Sequence, residues 1–190
     1  ADILVENHKV GALQRYGLDY SSLSAVNPQL IYCSISGFGS KAGSQLPGYD
    51  LLVQAMGGLM SITGTDEPTK VGVALVDVVT GLHAAIGILA ALHARESSGE
   101  GQHIEINLLS ALLSSMVNQS GAFALGGVTP QRIGNVHPSI APYEVFATQD
   151  QSVVIAVGNN SQFAQLCRVL ELNNLEKDPM FSTNQARVIN

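Results

Sequence analysis

The chain has 190 residues, of which 46% are apolar and only 13% charged, and it contains no tryptophan. So little charge beside so much Val, Ile, Leu and Ala excludes a disordered segment and implies extensive buried surface, some of it shared with another subunit. A formal charge of −6 with no Lys/Arg cluster argues against general nucleic-acid binding.

The first run, ADILVEN (residues 1–7), is short and apolar with a polar exit, as expected of a buried parallel strand. A short helix over Gly11 to Tyr16 stops at Gly17, and a further helical turn or two over Tyr20 to Val26 closes at Asn27-Pro28. Leu30 to Ser36, LIYCSIS, has the β-branched and aromatic content of a strand. Glycine and small residues then run to Gly48. Tyr49 to Met60 suits a helix that breaks at Gly57-Gly58, and a polar turn region leads to Val71.

From Val71 to Ala94 there is one acid, Asp77, in VGVALVDVVTGLHAAIGILAALHA, and the run reads as a helix ending near Arg95. Its length would suit a membrane span. Asp77, His83 and His93 inside it, and polar flanks without aromatic belts, favour a buried core helix instead. A loop, ESSGEGQ, precedes a strand, HIEINLL, and one helix over Ser110 to Leu125 ending at Gly126-Gly127. Beyond it the pattern changes. Residues 128–141 form a linker or active-site loop, YEVFATQDQSVVIAVGNN a hairpin, and Ser161 to Leu170 a helix with Ser161 as its cap. The expectation from this order is an α/β layer fold with a domain boundary near residues 128–141.

A carboxylate inside an apolar helix costs free energy unless it is hydrogen-bonded, paired or functional. On the segment alone, Asp77 as a helix N-cap is favoured over Asp77 as a catalytic group. The competing motifs fail. Gly37-Phe38-Gly39-Ser40-Lys41-Ala42-Gly43 has its third glycine one position late for a dinucleotide fingerprint, and a proline-containing loop follows where a helix is needed. His8, His83, His93, His103 and His137 show no metal-ligand pattern, so no metal is expected. No Gly-x-Ser-x-Gly elbow occurs. Cys33 and Cys167 read as buried thiols of a reducing compartment, and the location expected is cytoplasmic, or the mitochondrial matrix in a eukaryote. The start, without Met or a signal peptide, leads to the expectation that the chain is an internal piece of a longer one.

Taken in order, ADILVENHKVGALQRYGL, NPQLIYCSISGFG, PGYDLLVQAMGGLMSITG, VGVALVDVVTGLHAAIGILAAL and GQHIEINLL closely resemble the family III CoA-transferases. That superfamily includes formyl-CoA transferase, carnitine CoA-transferase and α-methylacyl-CoA racemase. GNVHPSIAPYEVF, VGNNSQFAQLC and DPMFSTNQARV look most like the succinyl-CoA:glutarate or mesaconate branch. The resemblance implies part of a large Rossmann-like α/β domain over 1–127, the 128–141 loop, and the start of a small α+β domain over 142–190. It further implies that Asp77 is the nucleophile and becomes an aspartyl-CoA thioester. It also implies contacts to CoA or substrate from Asn7, Arg15, Tyr49 and His137, with His8 and Val10 departing from the family's usual residues. Tyr49 stands where the racemases carry a catalytic histidine, and a phenol is a poor base at neutral pH, which favours transfer over racemisation. Coenzyme A is implied as a substrate and not as a resident cofactor, with a carboxylic acid as acceptor and a homodimer as the assembly. The other readings are a racemase of the same superfamily and an inactive, truncated binding module.

Overall fold

The computed structural model describes residues 1–172 and 174–190. The chain divides into two compact units, Ala1–Thr63 with Pro68–Gln131, and Gly64–Glu67 with Arg132–Asn190.

The first unit is built on a parallel sheet in the order β1 (Ile3–Glu6), β2 (Ile31–Ser36), β3 (His103–Asn107). Val5 pairs with Cys33, and Cys33 with Ile104, so one face carries Ile31, Cys33, Ile35, Ile104 and Ile106. The long helix α4 (Leu75–Ser98) packs along this apolar face. The opposite face is polar, with Glu6, Ser34, Ser36, His103, Glu105 and Asn107 alternating outward. Tyr20, at the start of α1 (Tyr20–Val26), stacks on His103 there at 4.8 Å between ring centres. Asp19 caps α1 by accepting from the Ser22 N–H and hydroxyl. The first unit is α/β with helices on a parallel sheet, a partial Rossmann-like domain.

Helices α2 (Asp50–Met56) and α3 (Leu59–Ile62) are separated by Gly57-Gly58, as the glycines predict. The core of this unit is Val53, Val76, Leu108 and Leu112, with Ile35, Phe38, Leu59, Leu109 and Met116 packed around it. Gly57 is required in this core: any side chain there would run into Leu112 and the Val53 carbonyl.

Three expectations are corrected here. The helix expected over Ser110 to Leu125 is two, α5 (Leu108–Ser115) and α6 (Val117–Gly126), bent by 82°. Val117 takes a positive φ of 37° at the break, a costly conformation for a β-branched residue. The residues expected as a loop from Glu96 continue α4 to Ser98, where Gly99 closes it in the left-handed conformation. Nor is α4 buried all round. Val76, Thr80, Ala84 and Ala91 are covered, whereas Val78, Leu82, Ile86 and Leu89 are each more than half exposed along the opposite side. The helix is long and apolar enough to cross a membrane by length and composition, yet its covered side is already packed on β2, β3 and α5.

The second unit holds the antiparallel hairpin β4 (Tyr143–Ala147) and β5 (Ser152–Ala156), with helices α7 (Asn160–Val169) and α8 (Asn184–Ile189). Its core is Val157, Phe163 and Cys167. The cap of α7 is Asn159, not Ser161: Asn159 Oδ1 accepts from the Gln162 N–H at 2.9 Å and from the Ser161 hydroxyl at 2.7 Å. Arg187 lies buried at the centre, donating to the carbonyls of Ala141 and Phe181 and to Asn160 Oδ1, with its guanidinium 4.4 Å from the Phe163 ring centre.

Candidate active site

A cleft of about 850 Å³ opens in the first unit at the carboxyl ends of the strands. Open α/β sheets bind ligands on this side, because the strand-to-loop exits converge there. Asn7 to Val10 enter from the exit of β1, Ile35 to Gly37 from that of β2, and Leu108 from beyond β3. Asp77, Thr80 and Gly81 form a wall from the first turns of α4, and Gly43 to Tyr49 form the wall leading into α2. The volume lies within the range of small-molecule sites, about 300–1,000 Å³.

The loop between β2 and α2 is drawn closed at its neck. A Cβ on Gly48 would stand 2.6 Å from the Gly37 Cα, so neither position accepts a side chain without moving backbone. Inside the loop, Ser44 N–H donates to the Lys41 carbonyl and Leu46 N–H to that of Gly43. Gly39, at φ +86°, completes the turn, its N–H donating to Ser36 Oγ. The backbone thus wraps tightly beside the cleft and leaves it open.

Asp77 is the third residue of α4, and the cap position is held by Ala74, which makes no side-chain bond. The reading of Asp77 as an N-cap is therefore overturned. What caps this turn comes from elsewhere. Asp50, the first residue of α2, accepts the Val76 N–H on Oδ1 at 2.8 Å. Its Oδ2 accepts from Gln54 Nε2 at 2.6 Å, and Gln54 Oε1 accepts the Val71 N–H at 2.9 Å. Gln54 is wholly buried, so this chain of bonds satisfies its amide inside the core.

Asp77 opens on the cleft, so the residue is accessible, yet the cleft walls displace part of the water around its carboxyl. That burial, and secondly the negative charge of Asp50, push its pKa above the ordinary carboxylate value. The helix N-terminus acts in the opposite sense, since it favours an anion in the first turn. One turn on, Gly81 has nothing within 4 Å of where a Cβ would stand, which leaves free space beside the carboxylate. Thr80 closes its hydroxyl onto the Val76 carbonyl at 2.7 Å. A carboxylate with an open approach, facing glycine-rich backbone, can attack an acyl carbon and have the resulting oxyanion met by N–H donors.

The other expected residues separate. Asn7 and Tyr49 line the same cleft as Asp77, and Tyr49 is 69% exposed. Arg15 lies outside the lining, in a 3-10 turn over Gln14–Tyr16, exposed and 4.6 Å from the Tyr16 ring centre. His137 belongs to the second unit, where its ring packs on Tyr143 and its Nδ1 accepts the Ser139 N–H. Lys9, Thr80 and Gly81 were missed by sequence reasoning, as was the Asp50–Gln54 pair. Gly81 carried a signal, being one turn beyond Asp77; Asp50 is 26 residues from Val76 and Gln54 17 from Val71, and the pair carried none. Among the described residues no group of three or more His, Cys, Asp or Glu is placed to hold a metal ion.

Comparison with known proteins agrees with this architecture. The chain is 46% identical over 99% of its length to a succinate–glutarate CoA-transferase of Agrobacterium fabrum, and covers 48% of that protein. It is 41% identical over its whole length to an acetyl-CoA:oxalate CoA-transferase of Acetobacter aceti, covering 50% of it. The crystal structure of a CaiB/BaiF family protein from Brucella suis superposes with a TM-score of 0.84 at 47% identity, over all of this chain and 51% of that one. The chain thus spans about half the length of the curated relatives it matches. Residues 1–190 match CoA-transferase family III throughout, and the chain belongs to that family.

Proposed function

We propose that the protein moves CoA from an acyl-CoA donor to a carboxylic acid through covalent chemistry at Asp77. The Asp77 carboxylate attacks the thioester carbonyl and expels CoA thiolate, leaving a mixed anhydride. The thiolate attacks the aspartyl carbon, which releases the donor acid and forms an aspartyl-CoA thioester. The acceptor carboxylate then displaces the thiolate to form a second anhydride. Attack of the thiolate on the acceptor's acyl carbon yields the new acyl-CoA and restores Asp77. Each exchange is isoenergetic to a first approximation, because every thioester broken is matched by one formed.

The observation that carries this reading is the placement of Asp77 in the first turn of α4, facing the cleft beside the open space at Gly81. Asn7 and Tyr49, which share the cleft, are proposed to contact CoA or the acyl group. Arg15, outside it, suits a phosphate of an extended CoA through its guanidinium fork. The proposed contact of His137 with substrate is supported by its sequence motif alone. The names of the two relatives favour a dicarboxylate acceptor, glutarate in one and oxalate in the other; the first name favours succinyl-CoA as donor and the second acetyl-CoA. A homodimer is the proposed assembly, supported by the large apolar side chains exposed along α4. The proposed setting is the cytoplasm, or the mitochondrial matrix in a eukaryote, in keeping with the free, buried thiols of Cys33 and Cys167.

The test is Asp77→Ala in the full chain, assayed with succinyl-CoA and a panel of dicarboxylates. Transfer should vanish while the melting transition is kept. Hydroxylamine or borohydride added with acyl-CoA should modify Asp77 alone. Transfer near the wild-type rate in the variant would rule the nucleophile out.

A further inference from the structure

The bonds around Asp50 join two elements that the cleft needs in register. Tyr49 stands in the cleft wall, and Asp50, the next residue, takes the Val76 N–H immediately before Asp77. Since Ala74 offers no cap, the first turn of α4 has its orphan N–H satisfied from α2 instead. Through Gln54 the same carboxylate also holds the Val71 N–H. The approach to Asp77 is thereby fixed at two points, Val71 and Val76, with Gly72 between them. Gln54 is wholly buried, so it has no water to turn to if the link breaks. We propose that Asp50 is a positioning residue for Asp77, a carboxylate that never meets substrate but holds the first turn of α4, and with it the attacking oxygen, in place against the Tyr49 wall.

This rests on the reading of Asp77 as the nucleophile. Its consequence is geometric. Without Asp50 the first turn of α4 is free to fray, and attack depends steeply on position: a misplacement of about 1 Å costs on the order of 100-fold in rate. A purely structural role would lower the fraction of folded protein and leave the rate per folded molecule alone.

The donor and acceptor pattern offers a reversal. In Asp50→Asn one oxygen still accepts the Val76 N–H, but the new amide then meets the Gln54 amide donor to donor. Adding Gln54→Glu turns that link around, with the amide donating and the new carboxylate accepting both it and the Val71 N–H. One negative charge is kept in the pair, and all three bonds can reform.

The experiment measures kcat, KM for acyl-CoA and the melting transition for the full chain with Asp77→Ala, Asp50→Ala, Asp50→Asn, and Asp50→Asn combined with Gln54→Glu. The expected result is loss of transfer in Asp77→Ala and a fall in kcat of about 100-fold in Asp50→Ala with KM changed less than about threefold. Asp50→Asn should be impaired less, and Gln54→Glu should restore part of its loss. The titratable groups lining the cleft are His8, Lys9, Tyr49 and Asp77, with Asp50 behind the turn. Removing the Asp50 charge should therefore move the acid limb of the kcat profile to lower pH in Asp50→Asn. If Asp77→Ala is inactive but Asp50→Ala keeps its kcat per folded molecule, the positioning role is wrong and the nucleophile stands. If Asp50→Ala does not fold, an Asp50→Asn variant with wild-type kcat and an unmoved acid limb overturns the proposal just as firmly. Transfer by Asp77→Ala would remove both.

Discussion

Each of the two units buries a polar group at its centre, and the two are used differently. In the second, Arg187 spends its donors on the carbonyls of Ala141 and Phe181 and on Asn160, tying loop, turn and helix into one piece. In the first, the buried amide of Gln54 and the carboxylate of Asp50 are directed at the backbone on either side of a short approach that ends at an exposed acid. A buried network is costly when incomplete and rigidifying when complete. The contrast sets rigidity that serves the fold against rigidity proposed to serve a reacting atom, and it can be tested from both sides.

The largest effect on stability should come from Arg187→Ala. It removes a buried guanidinium together with its three hydrogen bonds to Ala141, Phe181 and Asn160, and should cost about 3 kcal/mol, a large share of a typical domain's net stability. Urea unfolding of the full chain should show the loss, and activity should fall only in step with the folded fraction. If transfer per folded molecule fell as well, the separation between the units would be wrong. Next comes Gly48→Ala. Its Cβ must push the Gly37 backbone away, so a cost of about 1–3 kcal/mol is expected. KM for acyl-CoA should rise because the cleft wall moves; an unchanged KM would detach this neck from binding.

A smaller effect separates charge from geometry. Folding raises the pKa of Asp77, so its ionised form is held less favourably in the folded chain than in the unfolded one. Asp77→Asn should therefore raise the melting temperature slightly at neutral pH. The gain should be complete above the raised folded value and vanish as pH falls through the unfolded carboxylate range. The same shift places the acid limb of wild-type activity above that of an ordinary carboxylate. A melting temperature lowered at neutral pH would mean that the folded chain favours the anion. The smallest change expected is in Val117→Gly. It relieves a β-branched residue at positive φ against glycine's greater unfolded freedom, for a net gain of about 0.5–1 kcal/mol. Chemical denaturation should resolve that difference, and a loss of stability would show that the break between α5 and α6 is not strained.

Much of this was legible from local patterns. Tyr20–Val26 was read to the residue, with Asn27-Pro28 closing it, and the glycine break between α2 and α3 followed directly. The break at Met116 was not legible. No glycine or proline marks it, and the bend of 82° arises where local sequence offers no punctuation. Asn159 and Ser161 both suit a cap, and periodicity does not choose between them; the structure chose the earlier and bonded the later to it. The cleft was half visible. The isolation of Asp77 drew attention to it from sequence alone. Asp50, by contrast, acts across a gap of 26 residues, and its neighbours look like any helix start.

The narrow neck between Gly37 and Gly48 has a further consequence, for how such a protein can change over time. The loop 38–47 leaves the sheet and returns at nearly the same point, so its ends are fixed whatever its middle contains. Lengthening a loop whose ends are held costs little, since each doubling adds only about 0.6 kcal/mol of closure entropy. Residues such as Gln45 and Leu46, which line the cleft from this loop, are thus free to vary while the strand below and α4 across the cleft stay where they are. Substrate preference has a place to drift that Asp77, the proposed nucleophile, does not feel.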